Sequence, residues 1–176
     1  MVLSLETRRL ALAPLRVDHA AEMATVLADR SLYEFTGGRP PTSKELEKRY
    51  RRQIAGPTSS AERWCNWVIA ERSTARAIGF VQATVIGPAA DLAWVLGVNH
   101  QGHGYATEAI TAVCAWLRSD GVHRFEAHIH PRHVASQGVA RRIGLAATGE
   151  CDDDGEEIWA AAWSGDVLES PPVPTA

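Results

Sequence analysis

Apolar positions along this chain alternate between short β-like runs and longer segments with helical spacing. Residues 7–15 intersperse Leu10 and Leu12 with smaller residues and predict a strand ending near Pro14. Asp18 offers an N-cap for a helix over 19–28, which would bury Ala21, Val26 and Leu27. Thr42 with Glu45 forms a capping-box pattern that opens a second helix running to about Ile54. Lys44, Lys48, Arg49, Arg51 and Arg52 give that helix a charged, solvated face. Strand patterns follow over 64–70, 77–86 and 91–96 with no helix between them, which predicts an antiparallel meander.

The pattern changes over 90–116. The apolar run 91–96 stops at Gly97, a polar link leads to Gly102-His103-Gly104, and a helix over 107–117 begins. Ala106, Ala109, Ile110, Val113, Trp116 and Leu117 recur at three- and four-residue spacing, so one helix face is buried. Asp120-Gly121 stops this helix. The strand over 122–130 must then run parallel to the 91–96 strand, because a helix crosses between them. A short helix over 135–143 ends at Gly144, and strands over 146–151 and 157–163 flank an Asp154-Gly155 hairpin turn. This order of elements predicts one α+β domain.

The chemistry suggested by these elements lies at the glycine junction. Gly102 and Gly104 remove side chains where a helix begins, so backbone N–H groups without intrahelical partners can approach an anion. The helix dipole adds positive potential there, which suits a phosphate or pyrophosphate. A P-loop would need Lys followed by Ser or Thr after the last glycine, and Tyr105-Ala106 excludes it. A dinucleotide fingerprint would need a third glycine, and Thr107 stands in its place.

Gln101, Gly104 and Ala106 resemble motif A of the GCN5-related N-acetyltransferases, whose pattern is Gln or Arg, two residues, Gly, one residue, then Gly or Ala. The longer series through 90–110, His123-Arg124-Phe125-Glu126-Ala127, Ala135-Ser136 and 140–145 is similar to the RimJ/RimL branch of that superfamily. The likeness extends from Leu5 to about Trp163. It implies an α+β fold with a single mixed, mostly antiparallel six- or seven-stranded sheet flanked by helices, the GNAT or acyl-CoA N-acyltransferase fold. It also implies one N-acetyltransferase domain over 1–168, acetyl-CoA as co-substrate, and two parallel strands that splay to admit its pantetheine arm. Residues 169–176 are Pro-rich and expected to be disordered.

Acetyl transfer to an amine needs an anchored cofactor, a neutral amine, a stabilised oxyanion and a protonated leaving thiolate. The resemblance assigns cofactor binding to Trp94, Val95, Leu96, Gln101, Gly102, His103, Gly104, Tyr105, Ala106, His133 and Ser136, with an oxyanion-binding amide near Trp94 or Val95. Gln101 carries no charge where many family members have Arg. No Tyr follows Tyr105, which closes the Tyr-acid option of other branches. The branch instead points to Ser136 as the acid, and a helix N-cap is its structural alternative. His133 replaces the family's Asn, and imidazole supplies only part of that amide's hydrogen bonding. Asp91 is a candidate base. Glu150 and Asp152, Asp153, Asp154, Glu156 and Glu157 form either a solvated hairpin tip or an acidic rim that draws in a cationic amine. Tyr33 and Phe35 lie beside a Gly-Gly hinge and are expected either to line the acceptor cleft or to cover the core beneath their loop.

Composition narrows these possibilities. A net charge of −3 and a pI of about 6.2 argue against a nucleic-acid surface. The first residues lack a signal-peptide pattern, and no apolar run approaches about eighteen residues, so a soluble, cytoplasmic protein without membrane attachment is expected. Cys65, Cys114 and Cys151 are widely spaced; the first two read as small buried residues. His128, His130 and His133 lack a completing Cys or carboxylate, and no metal is expected. Six tryptophans leave room for an apolar homodimer interface. The amine acceptor is a protein N-terminus or a small cationic amine. The alternative from another class is a non-catalytic acyl-CoA-binding sensor or regulatory module.

Overall fold

A computed structural model of the chain describes residues 2–162. The expected tail at 169–176, and Trp163 at the end of the last predicted strand, lie outside the described residues. In chain order the elements are β1 (Leu5–Glu6), β2 (Leu10–Pro14), α1 (Ala20–Val26), α2 (Ser43–Ala55), β3 (Glu62–Glu71), β4 (Ala77–Ile86), β5 (Ala89–Leu96), α3 (Tyr105–Ser119), β6 (Arg124–Ile129), α4 (Val134–Arg142), β7 (Ala146–Cys151) and β8 (Glu157–Ala162).

The strands form one sheet in the order β1-β2-β3-β4-β5-β6-β8-β7. Every pairing is antiparallel except that of β5 with β6, the pair joined through α3. Among the described residues the sheet therefore has eight strands instead of six or seven. The additional strand is β1, which has only two residues and pairs Leu5 with Leu12 and Glu6 with Ala11. It is too short to produce an alternation that sequence could reveal.

Two apolar layers enclose the sheet. On one face Ala109, Ile110, Val113 and Leu117 of α3 pack with Leu10, Leu12, Trp67, Ile69, Leu92, Phe125 and Ala127. On the other face Met23 of α1 and Leu46 and Tyr50 of α2 pack with Val68 and the partly buried Phe80 and Val95. Covering both faces explains why β3 is buried continuously from Cys65 to Ile69. The Trp67 indole is fully buried and satisfied, donating to the Leu3 carbonyl at 2.8 Å. Of the five described tryptophans, Trp67 and Trp159 are buried and Trp64, Trp94 and Trp116 half-buried.

Two local expectations need correction. Asp18 does not cap α1; it pairs with Arg16 at 2.9 Å inside a 3-10 turn over Val17–His19, and the helix begins only at Ala20, so that Ala20, Met23 and Leu27 are buried while Ala21 is exposed and Val26 half-buried. The β7–β8 connection is not a two-residue Asp-Gly turn. The Gly155 amide donates to the Asp152 carbonyl at 3.1 Å, while Asp152 Oδ1 accepts from the amides of Asp154 and Glu156. The Asp152 side chain therefore organises the whole bend, and Gly155 adopts φ +78° at its end. The Thr42–Glu45 capping box is present, with the Glu45 carboxylate accepting from the Thr42 amide at 2.7 Å.

The position of the site follows from one register. β5 and β6 pair only as Ala89 with Arg124, Ala90 with Phe125 and Asp91 with Glu126. β5 continues to Leu96 and β6 to Ile129, so the two strands part beyond Asp91 and leave a wedge in the middle of the sheet.

Candidate active site

The wedge opens beside the glycine turn. Gly97 ends β5 against Val26, and a 3-10 turn over Val98–His100 leads to Gln101. Gln101 Nε2 donates to the Leu96 carbonyl at 3.0 Å, so its side chain ties the turn back onto β5. Gly102 and Gly104 both have φ +77°, a left-handed conformation that L side chains adopt only with strain. Gly104 is the N-cap of α3, where no side-chain cap is formed. The first intrahelical bond runs from the Glu108 amide to the Gly104 carbonyl, so the N–H groups of Tyr105, Ala106 and Thr107 precede it. Together they form an exposed anion cradle at a helix N-terminus.

Arg9 places a guanidinium, ion-paired with Glu108, beside the glycine turn, and sequence reasoning missed it. Its Nη1 donates to the His103 carbonyl at 2.9 Å, and its Nε pairs with Glu108 Oε2 at 2.6 Å. The guanidinium lies 4.5 Å from the Tyr105 ring centroid, and a Cβ on Gly104 would meet Arg9 Nη2 at 3.6 Å. Glu108 also accepts from the Thr7 hydroxyl at 2.6 Å and the Arg9 amide at 2.9 Å. Burial opposes ionisation of Glu108, but these hydrogen bonds and the Arg9 charge outweigh it and hold its pKa below the usual value. Tyr105 donates to Glu71 at 2.8 Å and stacks against His103, with centroids 5.7 Å apart. No local motif could have revealed Arg9, because its partners lie about a hundred positions later in the chain.

Backbone alternation decides what β5 presents to the wedge. The Gly97 amide bonds to Ile78 of β4, and the β4–β5 register then turns the Val95 and Ala93 amides toward β4. The Leu92, Trp94 and Leu96 amides face the β6 side. Of the two candidates for an oxyanion donor, Trp94 therefore faces the wedge and Val95 faces the sheet. The Leu96 carbonyl is occupied by Gln101.

α4 begins across the wedge. His133 is its N-cap, with Nδ1 accepting from the Ser136 amide at 3.4 Å. The cap is therefore His133 and not Ser136. His133 Nε2 lies 3.3 Å from Ser136 Oγ. With Nδ1 accepting, a neutral ring carries its proton on Nε2 and donates to the hydroxyl oxygen, leaving the Ser136 proton available for another acceptor. Burial is the main cause that lowers the His133 pKa and favours that neutral ring. Phe35 packs on this end, with its ring 4.6 Å from His133 and 5.2 Å from His130.

The face opposite α3 carries a polar group. Phe125, Ala127 and Ile129 of β6 join the α3-side core, so the intervening Glu126 and His128 point the other way. Asp91 and Ala93 lie on that face of β5. Asp91 is solvent-reachable, yet the crevice around it removes enough water to raise its pKa. His128 counters that rise, and Glu126 adds to it. His128 Nδ1 meets Asp152 Oδ2 at 2.6 Å, and its Nε2 is 4.0 Å from Glu126 Oε1. Glu150 does not join this group; it is exposed on β7, the edge strand beyond β8. Tyr33 donates to the Leu27 carbonyl at 3.0 Å and lines a separate open depression with Arg30, Glu34 and Arg39. Phe35 thus reaches the wedge end, while Tyr33 braces its own loop.

A partly open cavity of about 30 Å³, room for about one water, lies under α2 and is lined by Tyr50, Gln53, Asn66 and Gln82, away from the glycine turn. Gln53 Oε1 is buried without a hydrogen-bond partner among the described residues. Among the described residues no group of three or more His, Cys, Asp or Glu side chains is placed to hold a metal ion, and no helix is long and apolar enough to cross a membrane.

Comparison with known proteins agrees with this geometry. Residues 9–146 match the family model described as the Acetyltransferase (GNAT) domain, and the chain belongs to that family. It is 32% identical over 73 residues to the uncharacterized N-acetyltransferase YnaD of Bacillus subtilis (strain 168), a match covering 39% of this chain and 43% of that protein. The match thus spans less than half of that relative's length. Among solved structures, the ribosomal-protein-S5-alanine acetyltransferase of Vibrio fischeri superposes with a TM-score of 0.77 at 17% identity, covering 96% of this chain and all of that one. The ribosomal L7/L12 α-N-protein acetyltransferase RimL, in complex with coenzyme A, superposes with a TM-score of 0.76 at 18% identity, covering 91% of this chain and 98% of that one. The chain therefore shares its fold with these two ribosomal-protein acetyltransferases.

Proposed function

We propose that the protein is an acetyl-CoA-dependent N-acetyltransferase that acylates a primary amine by direct attack. The observation that carries this reading is the parallel β5–β6 pair that ends at Asp91 and Glu126 and opens beside the anion cradle of α3. The cradle fits the diphosphate of a CoA thioester, because the donor set is backbone N–H at Gly102 to Thr107 with the Arg9 guanidinium alongside. Acetyl-CoA would supply an activated acyl group; the chain has to orient it and manage charge.

The Trp94 amide, with its neighbours Val95 and Leu96 fixing the strand, is our candidate to stabilise developing negative charge on the acyl oxygen. Ser136 is our candidate to protonate the leaving sulfur, with His133 donating to its oxygen from behind. Asp91, Glu126 and Asp152 give the opposite mouth a negative potential that favours a cationic amine. The acceptor is a protein N-terminus or a small cationic amine. The fold shared with two ribosomal-protein acetyltransferases supports the former.

The test is release of free CoA thiol from acetyl-CoA in the presence of peptides beginning with Ala, Ser or Met, and of spermidine. An enzyme releases thiol in step with an acylated amine. A chain that binds acetyl-CoA and releases none with any amine is a sensor, and the catalytic reading then fails.

A further inference from the structure

We propose that His128, held by Asp152, is the base that takes the proton from the incoming ammonium. The inference rests on the acetyltransferase reading above and adds the group that prepares the nucleophile.

Position comes first. Asp91 sits opposite Glu126 at the last paired step, where β5 and β6 are still joined. His128 lies two residues further along β6, on the same face, where the strands have parted. Extending the parallel register sets it across from Ala93, one residue before Trp94, whose amide faces the wedge. The small Ala93 side chain leaves that face open. The cradle lies at the N-terminus of α3, on the other face of the sheet, so an amine approaching opposite the cofactor meets His128.

Orientation follows from hydrogen bonding. Asp152 Oδ1 is occupied by the amides of Asp154 at 3.0 Å and Glu156 at 2.9 Å, which leaves Oδ2 facing His128 Nδ1 at 2.6 Å. A carboxylate only accepts, so Nδ1 carries the proton and the neutral ring has its lone pair on Nε2. This is the arrangement by which a carboxylate orients a basic imidazole in hydrolytic triads. The groups facing the ring are Asp91 from β5, Glu126 from β6 and Asp152 from the β7–β8 connection; Glu156 and His130 lie next to them. Burial lowers the basicity of His128, but the Asp152 hydrogen bond and the charges of Asp91, Asp152 and Glu126 outweigh it and raise the pKa above the usual histidine value. The base is thereby brought closer to a peptide α-amine, whose ordinary pKa is about 7.7–8.0.

The proton count closes. One N–H proton passes from the ammonium to His128 Nε2, and the freed lone pair forms the C–N bond to the acyl carbon as the C–S bond breaks. A second nitrogen proton goes to the departing sulfur, through Ser136 in our reading. The imidazolium returns its proton to solvent.

The experiment compares wild type, His128→Gln and Asp152→Asn on the best of the peptides beginning with Ala, Ser or Met, following kcat/KM from about pH 6.5 to about 9.5. Near pH 7 His128→Gln is expected to lose about tenfold, because only about a tenth of an amine with pKa of about 7.7–8.0 is already neutral there. The deficit should shrink to within about threefold as pH rises through the amine's own pKa, because a neutral amine needs no base. Asp152→Asn, whose amide nitrogen replaces Oδ2 and forces the neutral ring's proton onto Nε2, should lose turnover near pH 7 as His128→Gln does, and long-range nitrogen NMR should show Nδ1–H in the wild-type His128 ring. A deficit of equal size at every pH, or a ring protonated at Nε2 when neutral, would overturn the proposal while leaving the enzyme an acetyltransferase. Absence of wild-type turnover with every peptide and with spermidine would remove the underlying reading instead.

Discussion

Gly104 carries two requirements at once: a backbone φ of +77° and open space beside the first turn of α3. A Gly104→Val substitution strains the backbone by about 1–2 kcal/mol and fills the cradle. We expect acetyl-CoA affinity to fall at least about tenfold, or about 1.4 kcal/mol, as measured by calorimetry; unchanged affinity would count against phosphate binding at this turn. Ser136 touches the reaction differently. Since His133 caps α4, Ser136→Ala removes no cap, and a loss of turnover above about tenfold with unchanged acetyl-CoA affinity is the signature of a group acting in the transition state. Equal turnover would show that the thiolate leaves without help from this hydroxyl.

Among elements, β5 determines the most and tolerates the least. A Cβ on Gly79 of β4 would run into the Val95 carbonyl oxygen and the Leu96 backbone, so close approach of the two strands requires glycine there. Gly79→Ala should displace β5, lower the melting temperature and weaken acetyl-CoA binding together; a stable variant with full affinity would contradict this account of the wedge. Much of the element pattern was legible in the sequence because it is local. The Thr42–Glu45 box, the meander of β3 to β5 and the glycine turn each announce themselves within a few residues. What stayed hidden depends on distant partners. Arg9 reads as an ordinary charge near a strand until the fold sets it against His103 and Glu108. Asp152 reads as one of several hairpin acids until its Oδ2 meets His128, and Glu150, equally acidic, points from an edge strand with no such partner among the described residues. Asp18 shows the converse, an apt capping residue diverted by a neighbouring arginine two positions away.

At the scale of the whole molecule, the same pairs make stability depend on pH. The folded state raises the His128 pKa above the ordinary 6.5 and lowers that of Asp152 below the ordinary 3.8. A raised histidine stabilises fully below its unfolded value, and that contribution is lost as pH rises through the folded one. A lowered carboxylate stabilises above its unfolded value and loses its contribution as pH falls through the folded one. The pair should therefore add stability between about pH 4 and about 6.5, with the benefit declining above that range. The difference in melting temperature between wild type and Asp152→Asn, followed across pH, should be largest in that window; a difference independent of pH would exclude the ion pair as its source.

The central claim is that the turn from Gln101 to Ala106, at the mouth of the β5–β6 wedge, binds a CoA thioester. Calorimetric titration of the full chain with acetyl-CoA, with ATP and NAD as controls, tests it most directly. We predict micromolar binding to acetyl-CoA alone, equivalent to about 8 kcal/mol. Failure to bind any CoA species, or equal binding of all three nucleotides, would contradict it.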